Sequence, residues 1–228
     1  MYKMRREALA AKLPENAIAF LFSGKEVHSI GDEMFPFKVD RNFHYLTGID
    51  RPNMVYMMVK LNGKATDTLF IESYDEMMAK WVGAKMLPAE ATEISGIERV
   101  MMVEDMWSII HSTMNRQMDH EASLDVYMDL SKQSHDQMLP AHEFTKEFAA
   151  KYPYAAIKNL FATMVELRVI KSEAEVEIMS KAIAVTNEGI KNMMDHSHGD
   201  IWENELEAHF DFVLKCNQCD HAFPTIIG

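Results

Sequence analysis

The chain has 228 residues, and its mix of 48% apolar and 25% charged residues is ordinary for a globular protein of one large or two small domains. Its net charge of -12, from 35 acidic and 23 basic residues, argues against a general affinity for nucleic acid or anionic membranes. The N-terminal segment is too polar for a secretory signal, and no run of about 18 apolar residues follows, so we predict a cytoplasmic protein.

The first predicted elements are a helix, a strand and a hairpin. Apolar residues at helical spacing predict a helix over 2–13, and the apolar run 17–22 predicts a buried strand. Asn62-Gly63 lies between the runs 54–60 and 67–72, and this dipeptide is a strong signal for a β-hairpin.

The next segments continue the alternation of helices and strands. We predict helices over 76–87, broken around Gly83, over 104–118 and over 142–150, and strands over 123–130 and 155–160. Alternation through about residue 160 favours an α/β layer structure.

The pattern changes after residues 166–172. Ser172 and Glu175 form a capping-box pattern before a long amphipathic helix, and Asp200 and Glu203 repeat the pattern before a second helix. One face of the first helix is apolar and consists of Val176, Met179, Ile183 and Ile190. In the second helix, the residues predicted to face inward are Leu206, Phe210 and Val213. Residues 222–228 predict a terminal strand, which has no ladder partner in its own segment.

The strongest candidate for a metal or redox site in the sequence is the pair Cys216 and Cys219, which has His209 and His221 nearby. A zinc site needs about four ligands, and a thioredoxin-like pair needs a helix N-terminus, whereas this pair comes late in a helix. We favour ordinary packing, with Cys216 facing the core. Two cysteines also fit a reducing compartment.

The histidines and carboxylates of the helix junction form a second cluster, made by Asp195, His196, His198 and Asp200. Together with the helical pairs Glu203–Glu207 and Glu205–His209 they are interpreted as solvated surface. Phosphate-binding loops, nucleophile elbows and zinc-protease motifs do not occur in the sequence.

The stretch 40–50 combines His44, Tyr45 and Thr47 and invites an active-site interpretation. We instead predict an extended segment that places Phe43 and Tyr45 on one face for core packing. In this interpretation the stretch is architectural.

Several stretches together carry a resemblance to a known family. They are Gly31-Asp32-x-x-Phe35-Pro36-Phe37, Asn42-Phe43-x-Tyr45-Leu46-Thr47-Gly48, Pro52, Leu69-Phe70, Trp81-x-Gly83, 166–182 and 222–228. In this order, over essentially the whole chain, they resemble the N-terminal domain and catalytic-domain entry of the aminopeptidase P family, the Xaa-Pro peptidases related to prolidase and creatinase.

The resemblance implies a fold and a chemistry. The fold is an α/β domain over 1–168, with a mixed sheet and flanking helices, and then an incomplete α+β "pita-bread" segment over 169–228. The family hydrolyses the bond before a proline in the second position with two divalent metal ions, usually manganese, held by two Asp, one His and two Glu. Those ligands follow the segment that 222–228 resembles, so the resemblance implies neither a catalytic residue nor a metal ligand in this chain.

Two site residues follow from the resemblance. Asp32 matches an acidic position that approaches the active site, and Trp81 matches a tryptophan that walls the substrate pocket of a neighbouring subunit. The alternatives are a turn or cap residue for Asp32 and a core residue for Trp81. The chain departs from bacterial members at 160–163, where they carry Trp-Arg-Pro, so an arginine partner for Asp32 is missing there.

The functional hypotheses are therefore three. In the first, the chain belongs to an Xaa-Pro aminopeptidase that acts on proline-containing peptides as a dimer or tetramer, and the chain alone is inactive. In the second, it belongs to an Xaa-Pro dipeptidase, a prolidase. In the third, it is a non-catalytic binding or assembly module that retains the fold. None of them involves nucleic acid or a membrane.

Overall fold

A computed structural model describes residues 1–74, 76–116 and 124–226, which form two compact units, Met1–Val169 and Ile170–Gly228. Within these residues, no helix has both the length and the apolar character needed to cross a bilayer.

The first unit is built on a six-stranded mixed sheet, as the described residues show. Its strands are β1 (Ala17–Phe22), β2 (Val55–Leu61), β3 (Lys64–Ile71), β4 (Val100–Met102), β5 (Asp125–Met128) and β6 (Ala156–Asn159). Their order is β4-β3-β2-β1-β5-β6, with β2 antiparallel to both neighbours and the remaining pairs parallel. The predicted α/β class with a mixed sheet is confirmed.

The hairpin between β2 and β3 forms as its turn sequence predicts. Asn62 and Gly63 have φ of 52° and 73°, the left-handed values that a two-residue turn of this type requires. The turn sets a register in which Leu61 pairs with Lys64 and Val55 with Phe70.

Seven α-helices and one 3-10 helix, Val103–Asp105, lie within the described residues of the first unit, and six of the α-helices cover the two faces of the sheet. The seven α-helices are α1 (Tyr2–Lys12), α2 (Arg41–Thr47), α3 (Glu76–Val82), α4 (Pro88–Ser95), α5 (Met106–Arg116), α6 (Pro140–Lys151) and α7 (Phe161–Val169).

The helices predicted over 2–13, 104–118 and 142–150 are confirmed as α1, α5 and α6, with residues 117 and 118 outside the described ranges. The helix predicted over 76–87 is confirmed only as far as Val82, because residues 83–87 are not helical. The strands predicted over 123–130 and 155–160 are confirmed as β5 and β6, with residue 123 outside the described ranges.

Alternation along the buried strands divides the core into two layers. On β1, Ala19 and Leu21 face the layer that also contains Leu9 of α1, whereas Ile18 and Phe20 face the other. The first layer is closed by α1, α2, α4 and α7, and the second by α5 and α6. A sheet buried on both faces explains why β1 is a continuous apolar run.

The extended conformation predicted around Phe43 is wrong, because residues Arg41–Thr47 form helix α2. The Asp40 carboxylate accepts hydrogen bonds from the backbone N–H groups of Asn42 and Phe43, both at 2.9 Å, and thereby caps the helix. Gly48, with φ of 73°, ends it. The buried residues Phe43, Leu46 and Thr47 follow helical spacing, which outweighs the aromatic alternation on which the prediction depended.

A buried arginine joins four elements of the first unit. Arg6 of α1 is 2% exposed, and its Nε lies 2.8 Å from Oδ2 of Asp67 on β3, which is 26% exposed. Its Nη1 donates to the carbonyl oxygens of Leu46 and Ser95, each at 2.9 Å. The Tyr56 hydroxyl donates to Oδ1 of Asp67 at 2.6 Å and completes the network.

The second unit contains α8 (Glu173–His196) and α9 (Glu203–Cys216). The predicted capping box of α8 is confirmed, since the Ser172 N–H donates to Glu175 Oε2 at 2.9 Å and Glu175 N–H donates back to Ser172 Oγ at 3.4 Å. The helices pack closely at Gly189, where a Cβ atom would come within 2.7 Å of the Phe210 ring. Val213 is buried as predicted.

Three expectations for the second unit are wrong. Helix α9 begins after Trp202, whose N–H donates to Glu205 at 2.8 Å, and not after an Asp200–Glu203 capping box. Cys216 is exposed rather than packed in the core. Residues 222–226 form no strand, because no described strand of this unit offers a ladder and Pro224 has no N–H to donate.

Candidate functional site

A small loop after β1 carries Asp32. The backbone N–H of Phe35 donates to the Val27 carbonyl at 2.8 Å, and that of Ser29 donates to Glu33 at 2.9 Å. The chain reverses at Gly31, which has φ of 62°. Asp32 lies exposed at the tip of this loop, so it is a turn residue by conformation and does not cap a helix.

Helix α3 carries Trp81 in its last turn, directly before its final residue Val82. Gly83, with φ of 88°, donates its N–H to the Ala79 carbonyl at 3.1 Å and ends the helix there. The Trp81 residue is 84% exposed, which contradicts the core alternative for this residue. An indole this exposed is available for contact with another molecule.

The loop and the helix line the same cleft, which has a volume of about 500 Å³. Met54 and Met86, both nearly fully buried, line it from within. Its charged lining residues have both signs and are Glu26, Asp32, Arg51, Glu72 and Lys85. The structure therefore brings together the two residues that the resemblance singled out.

Among the charged residues that line the cleft, one pair is balanced locally, whereas Asp32 and Arg51 are not. Lys85 and Glu72 form an ion pair at 2.6 Å. In the part of the chain that is described, Asp32 makes no ion pair or side-chain hydrogen bond. Arg51 Nη1 donates to the Asp50 carbonyl at 3.3 Å, so its charge also has no carboxylate partner among the described residues. An unpaired carboxylate and guanidinium can both bind groups of an incoming ligand.

Sequence reasoning missed Arg51, Glu72 and Lys85. The resemblance leaves Asp32 without an arginine at 160–163, but Arg51 supplies one to the same cleft from a different segment. Its position directly before Pro52, which the resemblance already included, was the available signal.

The residues of the 40–50 stretch serve packing, as predicted. The Tyr45 hydroxyl donates to the Leu167 carbonyl at 2.9 Å, and the Arg5 guanidinium lies 4.1 Å from the centre of the Tyr45 ring. Thr47 Oγ1 donates to the Phe43 carbonyl within α2. These contacts join α1, α2 and α7.

The described residues of the second unit do not fit a metal centre. His196 and His209 stack at 3.9 Å between ring centres, His221 contacts Asp211, and Cys219 Sγ lies 3.4 Å from the Asn217 carbonyl. Across residues 1–74, 76–116 and 124–226, no group of three or more His, Cys, Asp or Glu side chains could hold a metal ion. Neither the zinc alternative at Cys216 nor a two-metal centre therefore has a set of ligands here.

The sequence from residue 2 to residue 121 matches the family model of the aminopeptidase P N-terminal domain. This match covers more than half of the chain. The chain belongs to this family.

The curated relatives of this family member extend the match beyond the first unit. It is 21% identical to the Xaa-Pro aminopeptidase of Escherichia coli K12 over 238 residues, covering 100% of this chain and 52% of the relative. It is 25% identical to intermediate cleaving peptidase 55 of Schizosaccharomyces pombe, covering 100% of this chain and 46% of that protein. The chain thus spans about half the length of the curated relatives it matches.

Solved structures agree with the family assignment. A protein from Bacillus anthracis assigned as an aminopeptidase P superimposes with a TM-score of 0.88 at 37% identity, over 96% of this chain and 52% of that one. The low-pH form of E. coli aminopeptidase P superimposes with a TM-score of 0.81 at 19% identity, covering 95% and 49%. The second likeness supports the fold alone.

Proposed function

We propose that this chain supplies the N-terminal domain, residues 1–168, and the first part of the catalytic domain, residues 169–228, of an Xaa-Pro aminopeptidase. Such an enzyme hydrolyses the bond before a proline in the second position of a peptide. The observation that carries this proposal is the alignment of the entire chain with proteins named Xaa-Pro aminopeptidase, in which it covers about half of their length.

In this proposal the Asp32–Trp81 cleft forms a wall of the substrate pocket. The exposed indole of Trp81 offers an apolar face against which a proline ring can pack. Asp32 and Arg51, which lack charged partners among the described residues, can orient the ends and amide groups of a peptide. The side chains of this chain thus bind and orient the substrate, while the chemical step belongs to other residues.

The metal chemistry expected for the family is not assigned to this segment. When bound in the complete enzyme, two divalent ions, manganese in the proposal, would supply Lewis-acid activation of a water molecule. The side chains described in both units do not form a set of ligands for that pair of ions. The proposed enzyme assembles as a dimer or tetramer, because the family position that Trp81 matches faces a neighbouring subunit. Its proposed location is the cytoplasm.

A peptidase assay tests the proposal. The product of the complete reading frame, supplied with manganese, is expected to release leucine from Leu-Pro-Leu but not from Leu-Ala-Leu. The 228-residue chain alone is expected to release none from either peptide. The proposal is wrong if the complete product leaves Leu-Pro-Leu intact, and turnover by the 228-residue chain alone would contradict the finding that its described residues contain no group able to hold a metal ion.

A second candidate is a non-catalytic binding or assembly module that retained the family fold. Failure of the complete product to hydrolyse Leu-Pro-Leu, combined with peptide binding at the Asp32–Trp81 cleft, would support it. Cleavage of dipeptides alone would instead support a prolidase.

A further inference from the structure

The strands β1, β3 and β4 end at the same edge of the sheet. They run in one direction, because β2 is antiparallel to both β1 and β3, and β4 is parallel to β3. Phe22 is the last residue of β1, while Glu72 and Val103 directly follow β3 and β4. Open α/β sheets bind their ligands outside such carboxyl ends, so this edge is a favoured position for a binding site.

A cavity of about 300 Å³ lies at this edge, which is within the usual size range of small-molecule pockets. We call it the β1–β4 cavity. Six of its lining residues have large apolar side chains, and they are Phe22, Met54, Val55, Val103, Met106 and Phe144. Water that fills a cavity with such walls is displaced favourably by an apolar group of a ligand.

The charged residues that line the β1–β4 cavity already have partners of opposite charge. The ion pairs are Lys25–Glu143 at 2.5 Å, Lys85–Glu72 at 2.6 Å and Lys151–Glu147 at 3.5 Å. A charged ligand would have to displace one of these partners or lose its own hydration without gaining one. A neutral ligand leaves all three pairs intact, so the cavity favours an uncharged ligand.

The apolar wall suits an aromatic ring. The rings of Phe22 and Phe144 lie 5.1 Å apart between centres and are tilted by 56°, an arrangement to which a third ring can add. The thioether groups of Met54 and Met106 are also favourable neighbours of an aromatic ring. Because an apolar cavity of about 150 Å³ already holds benzene, this larger cavity has room for a ring and an adjoining group.

Asn53 contributes an uncharged polar side chain to the same cavity. Its backbone has φ of 58° and its N–H donates to the Gly24 carbonyl at 2.8 Å. Its side-chain amide makes no hydrogen bond to any described residue, so a donor and an acceptor are both available to a ligand. A side-chain amide can donate to a peptide carbonyl and accept from a peptide N–H, which makes a peptide group its matching partner.

We propose that the β1–β4 cavity binds an aromatic residue within an uncharged segment of a peptide. The aromatic ring packs against Phe144 and Met106, and the peptide group of the same residue pairs with the Asn53 amide. The inference goes beyond the proposed function. It concerns binding alone and holds or fails whether or not the complete product is a peptidase.

Calorimetric titration of the 228-residue chain with N-acetyl-phenylalanine amide tests this proposal, since this neutral compound carries one ring between two peptide-like amides. The controls are N-acetyl-alanine amide, which lacks the ring, and free phenylalanine, which has two charges in place of the amides. Each control is expected to bind at least about tenfold more weakly. Equal binding of either control, or no binding of N-acetyl-phenylalanine amide at millimolar concentration, would overturn the proposal.

Matched asparagine variants test the polar contact. Asn53→Gly removes the amide, suits the positive φ, and is expected to weaken binding of N-acetyl-phenylalanine amide about tenfold, because two hydrogen bonds are lost. The control is Asn16→Gly, since Asn16 has φ of 59° and is also half-buried but precedes β1 at the other end of the strand. It should leave the affinity unchanged, and an equal loss in both variants would contradict the proposed contact.

A variant that fills the cavity locates the ring. Val103→Phe places an additional ring at the half-buried wall after β4 and is expected to abolish binding, with a thermal melt near that of the wild type. If Val103→Phe does not fold, the comparison of Asn53→Gly with Asn16→Gly decides. If Trp81→Ala abolishes binding while Val103→Phe leaves it unchanged, the ligand occupies the Asp32–Trp81 cleft and the proposal is wrong.

Discussion

Replacing Arg6 with methionine keeps an apolar stem in place but removes the cation that joins α1 to three other elements. The ion pair with Asp67 and the hydrogen bonds to the Leu46 and Ser95 carbonyls are lost together. Methionine can make none of these bonds. The variant therefore leaves a carboxylate and two carbonyl oxygens without their donor.

The size of the loss follows from burial. Removing one partner of a buried ion pair costs about 3–5 kcal/mol, and each stranded carbonyl costs about 1 kcal/mol. Because Asp67 keeps 26% of its side-chain surface exposed, water can solvate part of the remaining charge. We therefore expect a loss of about 3 kcal/mol in the free energy of unfolding, or about 6–12 °C in melting temperature.

Urea denaturation followed by far-UV circular dichroism measures this loss. The matched control is Lys12→Met, which removes the more exposed ion pair between α1 and Glu166, at 2.6 Å. That change should cost no more than about 0.5 kcal/mol, because exposed ion pairs contribute little. If Arg6→Met costs less than about 1 kcal/mol, or no more than the control, the network does not stabilise the first unit in the way described.

Two further predictions concern a buried phenol and a tight turn. Burial, and then the nearby charge of Asp67, raise the pKa of Tyr56 well above 10.0. The contribution of the neutral Tyr56 phenol to the free energy of unfolding is therefore complete below about pH 10 and is lost as pH rises through the pKa of the folded state. In a spectrophotometric titration, Tyr56 should be the last tyrosine to ionise, and it should do so only as the protein unfolds. Ionisation of Tyr56 before unfolding would contradict this prediction. Gly48→Ala should destabilise by more than Gly63→Ala in thermal melts, because both glycines have φ of 73° but only at Gly48 would the new Cβ meet the Tyr2 ring, at 2.3 Å. Equal losses of stability in the two variants would mean that the strain of a positive φ, and not the contact with Tyr2, determines the cost of the substitution.

Local signals in the sequence were sufficient for elements with strong periodicity or turn chemistry. The β2–β3 hairpin followed from Asn62-Gly63, and α8 from the capping box at Ser172. Helix α2 was missed because it has only seven residues, and its aromatic residues suggested a strand. The three-residue strand β4 is likewise too short for periodicity to reveal.

The candidate site was predictable only in part. The resemblance named Asp32 and Trp81, but nothing local in the sequence indicates that the loop after β1 and helix α3 line one cleft. Arg51 joins them from the segment before β2, and this proximity depends on the packed sheet rather than on spacing. The exposure of Cys216 was missed for a related reason, since helical periodicity does not show which face a partner covers.

The most direct test of the central claim is the kinetics of Trp81→Ala in the complete reading-frame product, with Leu-Pro-Leu as substrate. Lys80→Ala, which changes the neighbouring residue of α3, is the matched control. If Trp81 walls the substrate pocket, its loss should raise KM about tenfold or more, because it removes about 1.5–3 kcal/mol of apolar burial, while the control stays near wild type. Unchanged kinetics for Trp81→Ala, beside an active control, would contradict the account of this domain as part of the substrate site.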